Sequence, residues 1–279
     1  MPSVAMTQAL RQEYARLFES CAIRSQRRQA VEAIVARMRD NRSRYQQVGE
    51  TQGVPWGFLA VIHNMEASGD FSGHLHNGDP LNARTVKVPA GRPKRGAPPF
   101  TWEVSAQDAM VLKRFGRNTD WSLAGTLYQL ERYNGWGYRL YHPQVLSPYL
   151  WGFSEHYVSG KYVADGTWSD SAVSRQCGAA VLLRRLAENG LVDFADRPAP
   201  SPETSPRVPH FAGGQPRDSQ QIVKAKELQR WLNTYPRIFL KVDGMAGERT
   251  SKAYTWVTGA FLPSAPEAPS ARRIDQPAE

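Results

Sequence analysis

Cysteine is almost absent: Cys21 and Cys177 are the only two in 279 residues. One pair cannot staple a chain of this length, and zinc sites built from several cysteines are excluded, so both are expected to be reduced, structural thiols. Long apolar runs are missing too. No stretch approaches the roughly 20 apolar residues of a membrane helix, and Met1 to Arg11 has no secretory-type apolar core, so a soluble chain made without a Sec leader is expected. Nor is there a dense basic tail. The net charge of +9 favours an anionic partner, yet 23 Lys/Arg against 17 Asp/Glu in residues 1–194 and 12 against 9 in the remainder disperse the excess. That dispersal argues against a nucleic-acid partner and leaves a membrane surface or an acidic cell envelope.

What is present reads mainly as helix. Leu10, Tyr14, Leu17 and Phe18 share one helical face, as do Val31, Ile34, Val35 and Met38. The second of these helices carries Arg27, Arg28, Arg37, Arg39, Arg42 and Arg44 around its outer face. Either this is a solvated surface, or the basic amphipathic N-terminal helix meets anionic outer-membrane lipid. Val54 to Met65 is apolar nearly throughout and suits a buried helix opening at Pro55, with Glu66 at its C-terminal end. Asn77-Gly78-Asp79 followed by Thr85-Val86-Lys87-Val88 predicts a small hairpin over 73–88. After a Pro/Gly-rich loop over 89–100, helices are expected at about 104–114, 123–132 and 171–189, the last capped by Gly190.

Prolines 198, 200, 202, 206, 209 and 216 mark residues 196–219 as a semi-extended linker. It divides a domain over 1–195 from a small unit over 220–263, with a Pro/Ala/Ser-rich tail over 264–279 expected to be disordered. The small unit combines a helix at about 221–233, an Asp243-Gly244 turn and a helix over 248–257. The fold class expected is mainly α: an α+β first domain with one minor hairpin, and a small helical second domain.

Two stretches carry a family likeness. His63-Asn64-Met65-Glu66-Ala67-Ser68-Gly69-Asp70-Phe71 resembles the motif of goose-type lysozymes and lytic transglycosylases in which a buried helix ends in the catalytic carboxyl. Glu131-Arg132-Tyr133-Asn134-Gly135-Trp136 is similar to the Tyr-Asn-Gly element lining their sugar cleft, and the order and separation fit. The Gly-Leu-Met-Gln segment of transglycosylases is missing, and in its place the region looks more like phage-type lysozymes, with Asp79 and Thr85 matching their Asp and Thr. In the second unit, Leu228-Gln229-Arg230-Trp231-Leu232 with Asp243-Gly244-x-x-Gly247-x-x-Thr250-x-x-Ala253 resembles a peptidoglycan-binding module of three short helices.

The resemblance implies a muramidase that cuts the β-1,4 bond between N-acetylmuramic acid and N-acetylglucosamine. Glu66 is the general acid, Asp79 the second carboxylate with Asp70 as its competitor, and Thr85 the group that positions water. Ser68, Phe71, Tyr133, Asn134 and Gly135 would line the cleft; Trp231, Asp243, Gly244, Gly247 and Thr250 would bind the wall. A lytic transglycosylase acting on the same bond is the alternative. A zinc amidase or peptidase using His74 and His76 with His63 or Asp79 is weaker, as is a non-catalytic wall-binding protein. No cofactor or metal is expected. The expected partner is bacterial peptidoglycan, a monomer is expected, and the overall plan looks like a phage endolysin of a Gram-negative host. Such an enzyme is made in the host cytoplasm and acts on the wall from the periplasm.

Overall fold

A computed structural model of the chain describes residues 4–164, 166–194, 206–214, 216–235 and 238–267. It is mainly helical, with a single two-stranded sheet among the described residues. The chain divides into two compact units, Met1–Asp196 and Arg197–Glu279.

The first unit is built on one central helix. In chain order its elements are α1 (Gln8–Glu19), α2 (Arg28–Asp40), α3 (Arg42–Gln52), α4 (Trp56–Ala67), α5 (Trp102–Leu112), α6 (Leu123–Asn134), α7 (Gly137–Tyr141), α8 (Pro148–Trp151), strands β1 (Lys161–Ala164) and β2 (Thr167–Ser169), and α9 (Ala179–Glu188). Thr7, Thr101 and Ser122 open α1, α5 and α6 by accepting a backbone N–H, as residues of this kind do at helix starts. Gly57 to Met65 of α4 are all buried, because a helix that is apolar on every side must be surrounded. Its neighbours are α2, α3 and α9.

Several expectations change here. Of the apolar stripe of the arginine-rich segment, Val31, Val35 and Met38 are buried within the unit and Ile34 is half-buried. Its arginines are also divided among the turn before α2, α2 and α3, with Arg27 stacked over Phe153, Arg42 over Trp56 and Arg44 over Phe71. The hairpin over 73–88 reduces to one isolated bridge, Gly73 to Pro80. Asp79 takes the N–H groups of Val86 and Lys87, at 2.8 and 2.9 Å, that a strand partner would otherwise need. Thr85 instead pairs with Gly91 and Arg92 inside the following loop, leaving Val86 and Val88 exposed. The true hairpin is β1–β2, where Tyr162 opposes Trp168. Its Asp165-Gly166 pair is a hairpin signal in the sequence. The helix expected from residue 171 begins only at Ala179; the preceding segment is irregular, and Gly178 N–H donates to the Gly152 carbonyl at 2.8 Å.

The second unit has two helices among its described residues, not three: α10 (Ser219–Leu232) and α11 (Glu248–Thr258). They close on a core of Ala225, Leu228, Leu232, Ile238, Leu240, Ala246, Leu262 and Ala265. Val208 and Phe211 pack on this core, and Phe211 and Ala212 N–H donate to the Pro263 and Ala246 carbonyls. Residues 206–214 of the expected linker are therefore part of the unit, because Phe211 has an apolar ring to bury. Ala265, placed in the expected tail, is buried as well; residues 195–205, 215 and 268–279 of linker and tail lie outside the described residues.

The Asp-Gly motif organises this unit around one amide. The buried Gln229 Nε2 lies 2.9 Å from Asp243 Oδ1, 3.0 Å from the Met245 carbonyl and 3.3 Å from Thr250 Oγ1. Its Oε1 accepts Gly244 N–H at 3.0 Å. Gly244 has φ +82, and a Cβ there would meet Ile222 Cγ2 at 2.6 Å, so only glycine fits.

Candidate active site

Glu66 stands in the last turn of α4, where the chain must leave a buried helix abruptly. Ser68 turns left-handed at φ 54 and Gly69 follows at φ 74, while their N–H groups close on the Asn64 and His63 carbonyls at 3.1 and 3.2 Å. This is the bonding pattern that ends helices with left-handed residues. A serine in that conformation is strained by the order of 1 kcal/mol or more, a feature that concentrates at functional sites. The Gln176 amide adds a bond to the Met65 carbonyl at 2.7 Å.

The Glu66 carboxyl faces a cavity of about 390 Å³ shared with His76, Val88, Pro89, Ala109, Leu112, Lys113 and Tyr133. Tyr149, from α8, donates its hydroxyl to Glu66 Oε1 at 3.0 Å. Burial pushes the Glu66 carboxyl above the ordinary carboxylate range, outweighing the Tyr149 hydrogen bond and the nearby Lys113 ammonium, which pull it down. Burial in turn lowers Lys113, against the pull of Glu66. Tyr149 and Tyr133 are both raised by burial and then by the Glu66 charge, so both hydroxyls keep their protons. The Lys113 ammonium also sits 4.2 Å from the Tyr133 ring centroid. Among the described residues lining this cavity, Glu66 is the only carboxylate.

The remaining sequence candidates separate into those the structure brings here and those it does not. Tyr133 lines the cavity. Asn134 is exposed next to it, and Gly135, at φ 98, closes α6 through its N–H to the Glu131 carbonyl. Ser68 lies on a neighbouring groove. Phe71 belongs to an aromatic cluster with Tyr45, His63 and Trp102, under the Arg44 guanidinium, rather than to a cleft wall. Asp79 does not line the cavity: besides Val86 and Lys87 it accepts from the Asn77 amide and faces the Lys87 ammonium at 3.5 Å. The Lys87 N–H, foremost among these contacts, keeps its carboxyl below the ordinary range. Thr85 is likewise committed, donating to the Pro89 carbonyl at 2.5 Å and accepting from Arg92 N–H at 3.0 Å. Asp70 is exposed and accepts Ser72 N–H. Both aspartates thus serve local turns, a role for which their short carboxylates are suited.

The histidines form no open ligand set. His63, which burial lowers to about 4, lies between the Tyr45 hydroxyl and the Asp70 carbonyl at 3.0 Å each. His74 contacts Ser105 and the Ala83 carbonyl, and His76 contacts Ser105 and Asp108. With both ring nitrogens of each engaged by protein, a metal would have to displace core hydrogen bonds. Ser105, His76 and Asp108 are in nucleophile–base–acid order, at 3.3 and 2.9 Å. Ser105 is fully buried, however, and accepts Leu75 N–H at 3.2 Å, so its hydroxyl holds the 73–100 loop on α5 and meets no substrate.

Tyr149, Lys113 and Gln176 escaped sequence reasoning because nothing local marks them. Tyr149 has a testable role: its hydroxyl stabilises the ionised form of Glu66, so Tyr149→Phe raises the Glu66 pKa further. The midpoint for ionisation of the Glu66 carboxyl, followed by NMR titration, should therefore move to higher pH in the variant. A midpoint that stays put or moves down would detach Tyr149 from this carboxyl. In the second unit, Asp243, Gly247 and Thr250 line a concavity of about 280 Å³ with Lys241 and Arg249. Trp231 instead packs on the core against Tyr235. Comparison with protein-family models, with curated proteins and with solved structures finds no match to this chain.

Proposed function

We propose that this chain cleaves bacterial peptidoglycan at the β-1,4 bond between N-acetylmuramic acid and N-acetylglucosamine, with Glu66 as general acid. The observation that carries the reading is a lone carboxyl at the end of a buried helix, facing a cavity and held protonated beyond the ordinary carboxylate range by burial. A proton donor of this kind is what the leaving glycosidic oxygen requires, and raising a carboxyl by desolvation is how such donors work near neutral pH. The Tyr149 hydroxyl holds the carboxyl in one orientation, and Tyr133 and Lys113 supply polar wall for a sugar. Action would be at the wall in the periplasm, as for an endolysin, with the second unit holding the enzyme to its polymer.

One observation favours a second reading of the same cut. Glycosidases of the two-carboxylate type need a partner about 5 to 9.5 Å from the acid. Asp79 and Asp70 are both engaged in turns, and no other described carboxylate lines the cavity. A lytic transglycosylase needs only Glu66: the acid protonates the leaving oxygen, then as carboxylate accepts the proton of the muramoyl 6-hydroxyl as it attacks the anomeric carbon. Mass spectrometry of digested sacculi decides. Reducing muramic acid ends mark hydrolysis, 1,6-anhydromuramoyl ends mark transglycosylation, and intact glycan removes the proposal.

The wall-binding role of the second unit makes its own prediction. Deleting residues 206–279 should lower the fraction of protein that sediments with purified sacculi several-fold while soluble glycan chains are still cut. Sedimentation unchanged by the deletion would reassign that unit.

A further inference from the structure

Asn64, in the last turn of α4, and Ser68, the left-handed residue just beyond it, border the same concavity, whereas Glu66, between them in sequence, faces a different one. The concavity of Asn64 and Ser68 is a separate groove of about 720 Å³, walled on other sides by α2, β1 and the segment before α9. Three cations line it, Arg37, Lys161 and Arg175, and no carboxylate does. Most arginines elsewhere in this unit are committed: Arg24 to backbone carbonyls, Arg44 to Glu103, Arg92 to Asp108, Arg139 to Glu131. By contrast, none of the three groove cations has a carboxylate partner or a side-chain hydrogen bond among the described residues. A second observation points the same way. Asn64 as a residue is 8% exposed, and its side chain lines the groove with no hydrogen-bond partner among the described residues. Open to the groove, that amide offers a donor and an acceptor to a ligand.

We infer that this groove binds the carboxylate-bearing stem peptide of the muramoyl residue whose glycosidic bond is cut at Glu66. The inference rests on the glycosidase reading above and adds to it a peptide subsite. Peptidoglycan is branched at each muramic acid, where the lactyl group carries a short peptide with free carboxylates. A glycan lying across the end of α4 would place the scissile bond on the Glu66 side and this branch on the Asn64 side. The cations meet the carboxylates, and the Asn64 amide meets a peptide group. Engaging the branch identifies the muramoyl side of each linkage, which distinguishes the bond to be cut from the alternate one along the strand.

The test is binding, so it does not depend on turnover. Full-length Glu66→Gln protein is titrated by calorimetry with N-acetylmuramoyl tetrapeptide, and separately with the same compound after its carboxylates are converted to amides. The acid form should bind with an affinity that falls as salt rises, and the amide form more than about tenfold more weakly, the scale of lost charge-assisted contacts. The triple variant Arg37→Gln/Lys161→Gln/Arg175→Gln, combined with Glu66→Gln, should lose binding of the acid form to a similar degree. Its melting temperature should stay unchanged, because the three side chains hold no internal partner. Equal binding of acid and amide forms, no binding of either, or full binding by the triple variant each overturns the peptide subsite. Failure of the glycosidase reading is registered separately, by wild-type protein leaving sacculi uncut.

Discussion

Glu66→Gln will abolish release of fragments from sacculi and will not lower the melting temperature. Glutamine keeps the shape and can still accept from the Tyr149 hydroxyl, but it has no proton to give the leaving oxygen. Loss of general acid assistance is worth about 10² to 10⁴ in rate, or roughly 3 to 5 kcal/mol of barrier. The stability half follows from the raised Glu66 pKa. In the unfolded chain the carboxyl ionises at its ordinary value; in the folded chain burial makes it hold the proton to higher pH. The protonated acid therefore contributes stability that is fully present below the unfolded pKa and lost as pH rises through the folded one. Glutamine undergoes no such loss, so the variant should melt above the wild type at neutral pH, with the difference closing as pH falls toward 4, near the ordinary carboxylate pKa. Melting curves across this range, beside fragment release, measure both. A variant that still clears sacculi, or a wild type silenced by chelation and rescued by zinc, would sink the Glu66 mechanism.

The largest stability loss is expected at Arg139, remote from the chemistry. Its guanidinium forks onto the buried Glu131 carboxylate, with Nε at 3.1 Å and Nη2 at 2.9 Å, and reaches Glu13 at 3.0 Å. Tyr14 donates its hydroxyl to the same carboxylate, so the network ties α1, α6 and α7 together. Glu131 is 4% exposed, and Arg139→Met leaves that charge almost without compensation. Breaking a buried pair from one side costs about 3 to 5 kcal/mol. For a unit of this size, where each kcal/mol moves the midpoint by about 2 to 4 °C, the first unit should melt about 10 °C lower. Removing both charges is milder than removing one, since the buried Tyr14 hydroxyl that then loses its acceptor costs less than an uncompensated carboxylate. Arg139→Met/Glu131→Leu should therefore recover much of the loss, and a double variant less stable than the single one would refute this account. Tyr133 lies two residues beyond Glu131 on α6, so the same network holds one wall of the cavity in place.

That role also explains part of the Glu131-to-Trp136 stretch without reference to substrate. Glu131 is an internal anchor, Tyr133 a cavity wall and Gly135 a helix terminus. The Asp243-Gly244-x-x-Gly247-x-x-Thr250 pattern divides similarly. Asp243, Gly244 and Thr250 close on Gln229, a residue inside the quoted Leu-Gln-Arg-Trp-Leu string that sequence reasoning had not singled out. A spacing pattern marks positions that cannot vary freely, and both architecture and binding impose such limits.

From the sequence alone came the properties governed by near neighbours. Apolar spacing placed helix faces, Thr7, Thr101 and Ser122 supplied helix starts, and the apolar-rich run before Glu66 called for a buried helix ending in a carboxyl. A Pro-rich stretch marked a division near residue 196. The tertiary structure decided whatever depends on competition between partners distant in sequence. Asp79 and Thr85 have the right chemistry for catalysis, but the backbone of the 85–92 loop reaches their oxygens first, because those donors are a few residues away. Only the fold could bring Tyr149, 83 positions along the chain, to the Glu66 carboxyl, and Gln176, 111 positions along, to the end of its helix. The sequence carried the Glu66 carboxyl; the burial that raises its pKa, and the basic groove beside it, exist only once the helices surround α4.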